Sequence, residues 1–204
     1  MAALYRRCVD LSASRSGIVA RVVARLRDGG TLVDLAAGDG ALVAAVAAVR
    51  ADASFLGYER SPTRVAEARA RGIDRATFAL FDLALDRPPP ARGRVDVVVA
   101  PLVLGAQPED GALFTHLRRL LRDGGLLLAI EPDEVAGRSP LTPTPSPVGE
   151  REPGPESTAR RVVEILVRRG FSIESCDPLE GTLVGIGATP DPARAQPTAI
   201  RGWD

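Results

Sequence analysis

The 204-residue sequence contains no lysine and no asparagine, and it has one histidine, two cysteines, two tyrosines and one tryptophan. His116, Cys8 and Cys176 are too few for a Cys/His zinc cluster, and two distant thiols with no CxxC pairing exclude a disulfide framework. Charge of one sign is lacking as well. Twenty-six basic side chains, all arginine, balance 26 acidic ones, so composition makes no general case for nucleic acid or an anionic membrane as partner. No apolar run approaches the roughly 20 residues that span a bilayer, and the opening MAALYRRCVDLSASRSG lacks the apolar core of a secretion signal. A cytoplasmic protein without membrane partners is therefore expected, and the missing Lys and Asn suggest a G+C-rich bacterial genome. What is present, 45% hydrophobic and 25% charged residues, suits a single domain with a substantial core.

Periodicity organises that core into alternating elements. GIVARVVARLRD (17–28) spaces Ile18, Val22, Val23 and Leu26 as one helical face, and TLVDL after Gly29 and Gly30 reads as a strand. ALVAAVAAVRA is an Ala-rich helix, ASFLGY a second strand, SPTRVAEARARG a helix with Ser61 at the N-cap and Pro62 in its first turn, and ATFALF a third strand. VDVVVA is a continuous apolar run of the kind buried on both faces of a parallel sheet. EDGALFTHLRRLL predicts a helix ended by DGG, GLLLAI a fifth strand, and STARRVVEILVRRG a helix capped by Ser157 or Thr158. FSIESC and TLVGIGA are joined by DPLEG, too short for a crossover helix, so they should pair antiparallel. Residues 138–155 hold Pro140, Pro143, Pro145, Pro147, Pro153 and Pro155 and form a non-helical loop, either functional or disordered. Residues 1–190 thus read as the domain and 191–204 as a loosely attached tail.

Chemistry concentrates where strands end. In VDLAAGDG (33–40) the small residues Ala36, Gly38 and Gly40 would let backbone approach a ligand closely at a strand-to-helix turn, or would serve packing alone. Glu59 falls at the end of the second strand, where a carboxylate can accept bonds from two ribose hydroxyls, or can pair with Arg60 or Arg64. Asp82 follows the third strand, placed either to accept an exocyclic amine, with the Leu83 N–H meeting a ring nitrogen, or merely to open a turn. His116 lies mid-helix and reads as a packing residue rather than a general base.

Taken in order, VDLAAGDG, FLGYE, FALFD, VDVVVAPLVL and LLRDGGLLLAIEP resemble the class I S-adenosylmethionine-dependent methyltransferases over about residues 15–190. The resemblance implies an α/β fold, a Rossmann-like doubly wound seven-stranded sheet, mostly parallel with an antiparallel C-terminal strand. It implies S-adenosyl-L-methionine as cofactor, with Asp34, Ala36, Gly38 and Gly40 bordering the methionine part, Glu59 on the ribose, Asp82 and Leu83 on the adenine, and Ala100 and Pro101 flanking the sulfonium. Ala36 stands where the family usually has its first glycine. After the fourth strand, Ala100-Pro101-Leu102-Val103-Leu104-Gly105 lacks both the Asn/Asp-Pro-Pro-aromatic motif of nitrogen methylators and a nearby histidine. With asparagine absent and aromatics at 4%, this argues against a base-flipping role and any nucleic-acid partner. The function implied is methyl transfer to a small-molecule acceptor, with no catalytic side chain and no metal assigned. The alternative is a cofactor-binding but non-catalytic partner or regulatory subunit. A nicotinamide-dependent oxidoreductase fits less well, because the turn reads A-x-G-x-G instead of G-x-G-x-x-G.

Overall fold

The computed structural model describes residues 15–82, 94–108, 112–132, 157–179 and 183–194. Cys8, Leu83 and the Pro-rich segment 138–155 lie outside these residues. The elements in order are α1 (Arg15–Arg25), β1 (Thr31–Asp34), α2 (Ala41–Ala47), β2 (Ser54–Glu59), α3 (Pro62–Ala70), β3 (Ala76–Leu80), β4 (Val95–Pro101), α4 (Ala112–Leu120), β5 (Leu121–Pro132), α5 (Thr158–Arg168), β6 (Phe171–Pro178) and β7 (Leu183–Pro190).

The seven strands form one sheet in the order β3-β2-β1-β4-β5-β7-β6. Strands β1 to β5 pair parallel, and β7 slots between β5 and β6 antiparallel to both, so the expected sheet and its closing hairpin are present. Successive residues of the continuous apolar strands face opposite sides. Leu32 and Val97 join Val22, Val43, Phe55 and Phe78 under α1, α2 and α3, whereas Val33 and Val98 join Leu117, Leu127 and Ile165 under α4 and α5.

Local chemistry fixes the helix starts. Ser61 accepts from Arg64 N with Pro62 in the first turn, and Ser157 accepts from Arg160 N, each cap worth about 1 kcal/mol. Several boundaries differ from the sequence expectation, among them the first helix, which spans Arg15–Arg25 instead of 17–28. Helix α2 ends at Ala47, where an N–H sequence of turn bonds from Ala48 to Arg50 begins. Strand β5 starts at Leu121 instead of Gly125, because Leu121 pairs with Val95 before an irregularity between Val95 and Val97 resets the register. Residues 191–194, read as the start of a loose tail, are tied down. Asp191 N donates to Gly170 O at 2.9 Å, and Arg118 Nη2 donates to Asp191 O at 3.0 Å.

Order β2-β1-β4 places the topological switch point between β1 and β4, the place where open α/β sheets bind ligands beyond the carboxyl ends of their strands. No helix among the described residues is long and apolar enough to cross a membrane, and they contain no group of three or more His, Cys, Asp or Glu able to hold a metal ion.

Candidate cofactor site at the carboxyl edge

The turn leaving β1 is stitched to both neighbouring strands. Leu35 N donates to Val99 O and Ala37 N to Tyr58 O, which carries the ladder past Asp34 and holds the bend over the sheet. Gly38 and Gly40 have φ of 55° and 80°, the left-handed region that glycine occupies without a Cβ penalty. Their surroundings differ. A Cβ on Gly40 would lie 3.0 Å from the Phe78 ring and 3.1 Å from Ala68, a tight fit that adds to the demand its left-handed φ already makes for glycine. A Cβ on Gly38 would meet only the guanidinium of Arg64, at 3.2 Å, a flexible group on the solvent side. Of the small residues, Gly38 is thus the one that leaves backbone open to approach, while half-buried Ala36 packs on the α4/α5 core.

Asp34 is 1% exposed and accepts from Ala36 N at 3.3 Å. Burial pushes its carboxyl up to about 7, the Ala36 N–H opposing and the charge of Glu59 adding to the rise. Asp39 follows the opposite course. Burial alone would raise it, but the Arg71 ion pair and the Ala41 N–H outweigh that and hold it below the usual carboxylate range. Arg71, at the end of α3, thereby fixes the middle of the glycine turn, a role that no local pattern in the sequence marked.

Glu59, the last residue of β2, bends back over that turn. Its Oε2 accepts from Gly38 N at 3.1 Å and its Oε1 from Ser61 N at 2.8 Å. These bonds go to backbone rather than to a guanidinium. An ionised carboxylate offers about four lone-pair sites, so capacity for two further donors remains. One strand over, Phe81 N donates to Glu59 O at 3.0 Å, which places half-buried Asp82 at the same edge; Leu83 lies outside the described residues. Across the switch point, Ala100 is fully buried opposite Ala129, and half-buried Pro101 ends β4 opposite Ile130. The structure therefore brings Asp34, Ala36, Gly38, Gly40, Glu59 and Asp82 to one edge, with Ala100 and Pro101 across the switch point.

Sequence reasoning missed Glu131. It is 2% exposed at the end of β5 and accepts from Leu104 N and Gly105 N, both in the loop after β4. Burial pushes its carboxyl up to about 7 against those N–H bonds. A carboxylate closing the apolar run LLLAI was the available signal. His116 is half-buried in α4 with its Nε2 enclosed and without a partner; burial and the nearby Arg119 lower its pKa, so the ring is neutral near pH 7.

A family model described as a methyltransferase domain matches residues 33–127, the span from the glycine turn to the middle of β5. Trans-aconitate 2-methyltransferase of Methylobacterium radiotolerans is 36% identical over 136 residues, 66% of this chain and 50% of that protein. Over these residues the chain is similar to the class I S-adenosylmethionine-dependent methyltransferases. It spans half the length of that relative. The fold agrees with solved structures of low identity. A methyltransferase of Aquifex aeolicus aligns with a TM-score of 0.62 at 15% identity, covering 83% of this chain and 88% of that one. The [4+2]-cyclase SpnF aligns with a TM-score of 0.64 at 21% identity, covering 85% and 80%. S-adenosylmethionine, the methyl donor of this methyltransferase family, suits the donor set on the edge: a strand-end carboxylate with unused lone pairs, an open glycine and a buried acid near neutrality.

Proposed function

We propose that this methyltransferase domain transfers the methyl group of S-adenosylmethionine to a small-molecule acceptor, and that a carboxylic acid of the trans-aconitate kind is the first acceptor to test. The carrying observation is the Glu59 carboxylate bent onto the Gly38 N–H at the switch point. The acceptor class is supported by the name of the 36%-identical relative. A bacterial, cytoplasmic setting without nucleic-acid partners belongs to the same proposal.

In this reading Glu59 takes the two ribose hydroxyls on its remaining lone pairs, each charge-assisted bond contributing about 1.5–3 kcal/mol. Asp82 and Leu83 receive the adenine. Asp34, Ala36, Gly38 and Gly40 border the methionine part, and Ala100 and Pro101 flank the sulfonium. When bound, S-adenosylmethionine supplies a methyl group already activated for in-line displacement. The protein's own contribution is then placement. Holding the acceptor in attacking geometry can supply about 7–11 kcal/mol, against the 10²–10⁴-fold that a general base typically adds, so the apolar segment after β4 is compatible with transfer.

Calorimetry with S-adenosylhomocysteine tests the cofactor assignment; a folded sample that binds nothing at millimolar ligand removes it. Incubation with methyl-labelled S-adenosylmethionine and trans-aconitate then expects a labelled ester. The apolar Ala100–Gly105 segment also favours a second reading, a cofactor-binding partner or regulatory subunit that catalyses no transfer. Binding of S-adenosylhomocysteine without labelled product, from trans-aconitate or from a cell extract, selects that reading.

A further inference from the structure

We propose that Glu131 is a positioning residue that sets the acceptor-side backbone of this site, residues 102–105; the proposal rests on the methyl-transfer reading above.

Strand β4 keeps its pairing up to the switch point, where Leu102 N donates to Ile130 O at 2.8 Å. Leu102 then adopts a φ of 58°, a left-handed conformation that a side chain bearing Cβ takes only when its surroundings impose it. What imposes it lies directly beneath. Glu131 Oε1 accepts from Leu104 N at 2.9 Å and Gly105 N at 3.2 Å. Two consecutive N–H groups converging on one carboxyl oxygen form a backbone nest, here filled by the protein's own side chain.

Packing removes the remaining slack. Val103 and Leu104 point into the core, and a Cβ on Gly105 would strike Thr158 of α5 and lie 3.0 Å from Glu131 Oε2. From Ala100 to Gly105 the chain offers no acid, base or side-chain donor. The backbone path is therefore what this edge presents to an acceptor, and Glu131 defines that path without itself reaching the reacting atoms.

The test compares wild type, Glu131→Ala and Glu131→Gln as full chains; the Gln substitution keeps an oxygen acceptor of the same reach. Three readouts are taken: S-adenosylhomocysteine affinity by calorimetry, hydrogen exchange of amides 104 and 105, and kinetics of labelled transfer to trans-aconitate as probe. Glu131→Ala is expected to leave ligand affinity within about threefold, to speed exchange of these amides at least tenfold, and to lower kcat/KM at least tenfold. Glu131→Gln is expected to recover most of both losses. Wild-type exchange in the Ala variant overturns the proposal, as does a parallel loss of ligand affinity and transfer, which marks a general structural role. Should the Ala variant not fold, Glu131→Met replaces it, filling the space without an acceptor; Met and Gln variants that behave alike overturn the proposal. Wild type without turnover on the probe defeats the choice of acceptor, while the exchange comparison still decides whether Glu131 holds the loop.

Discussion

Buried acids lie at both edges of the sheet, and the two edges treat them in opposite ways. At the amino edge, Asp96 is 1% exposed and receives Arg27 Nε and Arg122 Nε, both at 2.6 Å, and Thr31 N at 2.9 Å. Burial would raise its carboxyl, but the Thr31 N–H and the two guanidinium groups more than offset this and hold it below the usual range. At the carboxyl edge, Asp34 and Glu131 expose as little surface, at 1% and 2%, but lie deeper in the protein; their bonds come from backbone N–H groups and burial pushes each to about 7. Equally low exposure therefore goes with opposite pKa shifts, because Asp96 lies shallower and has two arginines within reach, whereas Asp34 and Glu131 lie deeper with none. One edge is closed by its own counter-ions. The other leaves its acids short of positive charge, which an incoming cationic ligand would supply.

Acid titration should separate the edges most strongly. Asp34 and Glu131 ionise later in the folded chain than in the unfolded one, so the folded state holds the extra protons between about pH 4 and 7 and loses stability as pH rises through that window. The expected loss is roughly 2–3 kcal/mol for each group, read by urea unfolding at pH 5 and pH 8. The double substitution Asp34→Asn, Glu131→Gln should flatten this slope, and an unchanged slope would break the contrast. Next in size, Asp96→Ala should cost about 3 kcal/mol at pH 8, since it strips three donors of their acceptor; a loss under 1 kcal/mol would mean that the arginines rearrange freely.

Glu59→Ala probes the functional edge without the folding penalty. It should weaken S-adenosylhomocysteine binding about 10–100-fold while moving the unfolding midpoint little, because half-buried Glu59 serves the turn with only two backbone bonds. The smallest effect concerns the ligand's ammonium group. By drawing Asp34 toward its ionised form it should make binding release protons near pH 6.5 and strengthen by up to about tenfold from pH 6 to 8. Calorimetry in buffers of different ionisation enthalpy measures that release, and Asp34→Asn should abolish it.

The sheet was legible because its signals are local. VDVVVA announced a doubly covered strand, Ser61-Pro62 a helix start, and five residues between two β-rich runs a hairpin. Glu59 and Asp82 were legible for a topological reason: in a β-α-β unit the strand tips return to one edge, so their positions follow from counting. Glu131 and Asp96 were not, since each draws its partners from loops or strands 26 to 69 residues away. The early start of β5 was hidden for a similar reason, as Gly124 and Gly125 look like a stop until Leu121 is seen paired with Val95. Of the small residues in the glycine turn, only three-dimensional packing tells which makes room for a ligand and which for a neighbour.

Phe78 is that neighbour. Its ring lies under Gly40 and also against Gly57, where a Cβ would collide with it. A single benzyl group, two strands away from the bend, works as the shim that sets the height of the turn above the sheet. Trimming or enlarging it would tilt the turn proposed to seat the nucleoside without touching any polar group, which links the proposed ligand fit to the shape of the hydrocarbon interior.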